Sequence, residues 1–130
     1  MAITFRVDHE RRRILSRGEG QLTFEEVCDF AAATRPYRMV GYDELFDAAA
    51  VTATLSPDQI RTLAVRAQQA PPPAVPWGAL AIVAKEPVIF GLSRMYATLA
   101  ESAGLQVGVF YGLPEAEEWL RANQGMRDEG

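Results

Sequence analysis

His9 and Cys28 are the chain's whole supply of imidazole and thiol, and neither stands where a nucleophilic relay would need it. A Ser-His-Asp or Cys-His relay requires the imidazole beside the nucleophile, yet His9 lies in Asp8-His9-Glu10-Arg11, a polar run that predicts a hairpin turn at a sheet edge. Cys28 falls on an apolar helix stripe, where burial makes a thiol a small, inert hydrophobe. One His and one Cys exclude a cysteine-based metal cage, which leaves carboxylates. On a strand, Asp43 and Asp47 share a face and have Glu44 between them. Solvent contact or capping of a loop is their plainer role, and the ligand count is short of what Ca²⁺ takes. Gly18 and Gly20 lack the third glycine and the strand-to-helix setting of a phosphate cradle, and no Gly-Lys-Ser/Thr follows. The inventory predicts no enzyme, no resident cofactor and no metal.

The elements that position these residues are well signalled. Ile3 to Val7 alternates like a half-buried strand, and Arg13 to Arg17 predicts its antiparallel return. Thr23 and Glu26 form a capping box, followed by Phe24, Val27, Cys28 and Ala31 on one apolar face, and Pro36 is expected to stop that helix. Val40 to Ala48 predicts a strand, against the helix propensity of Ala48-Ala49-Ala50. Ser56 as N-cap, Pro57 at the first helical position and Gln59 open a second helix, with Ile60, Leu63, Ala64 and Ala67 inward and Arg61 and Arg66 outward. Residues 68–76 hold Pro71, Pro72, Pro73 and Pro76 and predict an extended surface crossover. Ala79 to Ala84 is unbroken apolar sequence, as expected of a central parallel strand covered on both faces. Lys85 follows it directly, at the carboxyl edge where open α/β sheets bind ligands.

A third helix carries Leu92, Met95, Tyr96, Leu99 and Ala103 on one stripe, with Arg94 outward as a candidate interface anchor and Gly104 as its cap. Leu105 to Tyr111 predicts the last strand. A short helix follows, led by Glu115, Glu117 and Glu118 and docked by Trp119 and Leu120. The expected architecture is α/β: a mixed four- to five-stranded sheet with an opening antiparallel hairpin and about four helices. It spans one domain, 1–124, with 125–130 as a loose tail.

A net charge of −4 and a pI near 5.0 give the wrong field for nucleic acid. Arg11, Arg12 and Arg13, with Arg17 nearby, read as a solvated turn. No apolar run approaches the ~18 residues of a membrane span. The N-terminus lacks an apolar signal core, and a cytoplasmic location is expected.

Several stretches together resemble the SpoIIAA-like group of STAS-related domains, small bacterial modules of which some have lipid-transfer similarity. They are Phe46-Asp47, Ser56-Pro57-Asp58-Gln59-Ile60-Arg61, Ala79-Leu80-Ala81-Ile82-Val83, Phe90-Gly91-Leu92-Ser93-Arg94-Met95-Tyr96, Val109-Phe110 and Glu115-Ala116-Glu117-Glu118-Trp119-Leu120. The resemblance spans nearly the whole chain. It implies helices packed mainly on one side of the sheet and a non-catalytic regulatory or protein-protein interaction module, homodimeric or bound to a partner. The alternative it leaves open is a lipid or nucleotide binder. In the better-known anti-sigma-factor antagonists of this type, a serine opening the second helix is phosphorylated, and Ser56 stands where that serine would sit. Leu55, Pro57 and Asp58 replace its usual Asp, Ser and Gly neighbours. Ser56 is therefore both a candidate regulatory position and a plain N-cap, while Asp47, Lys85 and Arg94 are the candidate ligand or interface residues.

Overall fold

The computed structural model describes residues 2–129. The chain runs β1 (Ile3–Asp8), β2 (Arg13–Gln21), α1 (Phe24–Arg38), β3 (Asp43–Ala53), α2 (Pro57–Gln69), β4 (Leu80–Val83), α3 (Pro87–Ala100), a 3₁₀ turn (Glu101–Ala103), β5 (Val107–Phe110) and α4 (Leu113–Glu129). The five strands form one sheet in sequence order, β1-β2-β3-β4-β5. β1 pairs antiparallel with β2, and the remaining pairs are parallel. The expected mixed sheet with its opening hairpin is present.

The layering follows from that order. Each parallel step moves to the next strand in the same direction, and crossovers of this type are right-handed. The three crossover helices, α1, α2 and α3, are thereby placed on one face. There Ile3, Leu22, Ala48, Val51, Ala84 and Ile89 form a core against Val27 and Phe30. The helix α4 is not a crossover and is free to cover the other face. There Ala116, Leu120 and Trp119 pack on Leu45, Ala79, Ala81 and Val83.

Both predicted capping boxes are present, at Thr23/Glu26 and Ser56/Gln59, and Gly104 takes the left-handed φ of 79° expected of a helix cap. Several boundaries differ from expectation, among them that of β2, which runs on to Gln21. α1 passes through Pro36 to Arg38; a proline in the last turn forfeits one backbone bond, which an exposed helix end tolerates. β3 starts at Asp43 and runs to Ala53, because its second half pairs with Glu19, Gly20 and Gln21 of the long β2. The last helix continues to Glu129, past the boundary expected at residue 124, and Gly130 lies outside the described residues.

Candidate functional site

Between the three crossover helices and the sheet lies a cavity of about 140 Å³. Its walls are mainly apolar, among them Ile3, Phe46, Ala48, Ile82, Ile89 and Leu92. Arg38, Glu44 and Tyr96 bring titratable groups into its lining from three different elements, α1, β3 and α3, beside the hydroxyls of Thr34, Thr54 and Ser93. A second cavity, of about 270 Å³, shares Ala31, Arg38, Leu63 and Tyr96 with the first and is otherwise lined by Cys28, Arg35, Arg66, Trp77 and Leu105, among others.

The polar group is set by alternation and helix spacing. Glu44, Phe46 and Ala48 fall on the helix-covered face of β3, two residues apart. On α1 the inward stripe is Val27, Phe30, Ala31, Thr34 and Arg38, which recur at three- and four-residue steps. Thr34 satisfies its hydroxyl within the helix by donating to the Phe30 carbonyl at 3.0 Å. Arg38, the last residue of α1, is held by its backbone: its carbonyl accepts from Gly41 N–H at 3.1 Å and from Gly78 N–H at 3.3 Å. Gly78 belongs there, because a methyl group at that position would stand 1.6 Å from the Tyr42 carbonyl oxygen. The proline-rich loop thus closes against both the end of α1 and the start of β3.

Glu44 is 2% exposed. Its Oε2 lies 3.2 Å from Ser16 Oγ, which also lies 3.3 Å from the Leu45 carbonyl oxygen. Desolvation pushes the Glu44 carboxyl above the ordinary carboxylate range, with the Arg38 charge and the Ser16 contact opposing. Burial likewise raises the Tyr96 phenol; Arg38 opposes that shift and Glu44 adds to it. Arg38 makes no hydrogen bond through Nε or Nη2, although both atoms are buried. An unsatisfied buried donor of this kind costs about 1–3 kcal/mol, more when charged, so two on one side chain require an account.

No protein-family model matches the sequence, and no curated protein matches it either. Among solved structures, the chain resembles an uncharacterised protein of the DUF3478 family from Shewanella loihica PV-4, described as having a SpoIIAA-like fold. The TM-score is 0.59 at 12% identity, covering 92% of this chain and 93% of that one. The fold is SpoIIAA-like. At that identity the likeness carries architecture alone.

On this SpoIIAA-like framework the four residues singled out from the sequence line neither cavity. Asp47 lies on the α4 side of β3 and accepts from Ala49 N–H at 3.0 Å. Ser56 caps α2, accepting from Gln59 N–H at 3.2 Å. Lys85 is exposed just beyond β4, beside Glu86, whose side chain caps α3. Arg94 is exposed on α3. The expected cleft at the carboxyl ends of the parallel strands is thus displaced: Glu44 pairs with Leu80 at the amino end of β4, and the polar lining gathers there. Asp43 and Asp47 face the α4 side while Glu44 faces the helices, so the three carboxylates do not converge. Asp43 instead accepts from Ala79 N–H at 2.9 Å.

Cys28 also departs from expectation. It is half-buried, with Arg66 Nη1 at 3.3 Å from its sulfur and the same guanidinium over the Phe24 ring. The packed stripe of α1 is rotated from the one read by hydropathy, because Thr34 and Arg38 face inward. His9 stays at the hairpin edge as expected, with Nδ1 2.9 Å from the Tyr42 hydroxyl. The residues that sequence reasoning missed are Arg38 and Glu44. Their signal was a polar residue spaced four from the apolar stripe of a helix, and a carboxylate in phase with Phe46 and Ala48.

Proposed function

We propose that this chain is a non-catalytic small-ligand-binding domain, its ligand seated between the crossover helices and the sheet. The observation that carries this is the cavity of about 140 Å³ with apolar walls and the polar side chains of Arg38, Glu44 and Tyr96. An apolar pocket with a few convergent polar groups is the usual form of a small-molecule site. An engineered cavity of ~150 Å³ takes up benzene, so the space here matches a ligand with a body of that size. Arg38, Glu44 and Tyr96 are groups that can bind and orient a ligand.

The test is an ¹⁵N-HSQC titration with toluene, a neutral probe of the cavity alone. Shifts are expected at Ala48, Leu63 and Ile82, and Ala48→Leu, which fills the space, is expected to abolish them while leaving the spectrum folded. A spectrum unmoved by saturating toluene would remove the reading.

Self-association is a second reading, supported by a different surface. At the carboxyl end of the sheet Phe90 and Tyr111 stack in parallel, ring centroids 4.0 Å apart. Val88 and Tyr111 are 63% and 58% exposed there, with Leu113 beside them in sequence. A twofold dimer would set this apolar patch against the same patch of a second copy of the chain, which is the occupant this reading takes. A homodimeric regulatory module would use it.

A further inference from the structure

We propose that the cavity is built for a monocarboxylic acid with a compact apolar body, its carboxylate held side-on by Arg38. The inference deepens the ligand-binding reading and depends on it.

The two unpartnered nitrogens of Arg38 are Nε and Nη2. These form one edge of the guanidinium fork, with their N–H bonds parallel. That edge pairs bidentately with a planar oxyanion, and no single carbonyl or hydroxyl satisfies both donors equally well. The nearby acid, Glu44, does not fill it: its carboxyl is in contact with Ser16 and forms no ion pair with Arg38. A buried guanidinium edge left open in this way is costly in the free protein, and a bound carboxylate satisfies both donors at once.

The surroundings choose among oxyanions. The groups facing the cavity are Arg38 from α1, Glu44 from β3 and Tyr96 from α3, while Arg35 and Arg66 wall the adjoining cavity. Arg38 is the one cation in the lining of the first cavity, which favours a singly charged anion as ligand. A phosphate dianion would bring a second charge into mainly apolar walls, where each uncompensated charge is expensive. Burial shifts Glu44 toward its neutral form, which lessens its repulsion of an incoming carboxylate. The volume suits a body near the size of benzene for the remainder of the ligand, such as an aryl or short branched acid.

The experiment is isothermal titration of the whole chain with benzoate, benzamide, toluene, decanoate and inorganic phosphate, repeated with Arg38→Met. Benzoate is expected to bind about tenfold or more tighter than its neutral isostere benzamide, a charge-assisted bidentate contact being worth at least that. Arg38→Met is expected to erase the difference and keep toluene binding. Should that variant fail to fold, the wild-type ratio decides, together with the Arg38 Nε–H resonance, which is expected to move downfield with benzoate only. Equal affinities for benzoate and benzamide, with toluene still binding, would overturn the inference and leave the cavity reading intact. Loss of toluene binding as well would sink both. Decanoate binding more tightly than benzoate would overturn the compact body, and displacement of benzoate by phosphate would overturn the carboxylate.

Discussion

Desolvation lifts the Glu44 carboxyl above its ordinary value of 4.5 while the Arg38 charge and the Ser16 contact pull it down, and linkage turns that balance into a pH dependence of folding. A raised folded-state value means that the native protein binds more protons than the unfolded chain once the pH passes 4.5. The stability associated with Glu44 is fully present below that point and is lost as the pH rises through the folded-state value. Glu44→Gln cannot ionise, so its urea midpoint should lack this fall and exceed the wild-type midpoint at neutral pH. If the two proteins lose stability in parallel across that window, Glu44 is not the group responsible. At this scale the sequence was least legible. A carboxylate and a guanidinium in phase with apolar neighbours look like surface residues until the third element, α3 with Tyr96, is known to close over them. Asp47 and Lys85 drew attention because they fall near the ends of the strands expected from the sequence, a matter of position along the chain, although β3 continues to Ala53; Arg38 and Glu44 matter through burial, which position does not report.

Elements were read best where their signals are local. Each capping box binds residues three apart, and Ser56 and Gln59 exchange bonds of 3.2 and 2.9 Å as their spacing implied. Ser56→Ala should cost about 1 kcal/mol, seen as a lower urea midpoint at unchanged slope. Ser56→Asp should fall near wild type, because Asp caps as well as Ser does. A Ser56→Ala protein of unaltered stability would mean that the cap contributes nothing. Boundaries set from a distance were not legible. The second half of β3, Ala49 to Ala53, has helix-forming composition and becomes strand only because Glu19 to Gln21 of β2 is there to pair with it. The turn from α1 into β3 depends on Gly78, which lies far along the chain and across the proline loop.

For the whole molecule, alternation of strand and helix was enough to predict a mixed α/β sheet, since hydrophobic periodicity carries element type and order. The cavity was not legible, because it is a difference between how closely three helices and one sheet approach, and no periodicity reports a gap. The stacked ring pair at the carboxyl end, with Tyr111 exposed, belongs to this scale too. Sedimentation velocity should give a concentration-dependent dimer for the wild type and a monomer for Tyr111→Asp, with unchanged circular dichroism; a wild-type monomer at every concentration would remove self-association through that face.

The placement of α4 bears on how the chain is made. The three crossover helices emerge between the strands they cover, so their face is sealed progressively during synthesis. Leu45, Ala81 and Val83 on the opposite face have no cover until residues beyond Leu113 have been translated. Elongation at ~5–20 residues per second leaves that surface open for seconds on the ribosome. A nascent chain stalled after Phe110 would present an apolar sheet face to holdase chaperones, and it would be released from them only when Ala116, Trp119 and Leu120 arrive.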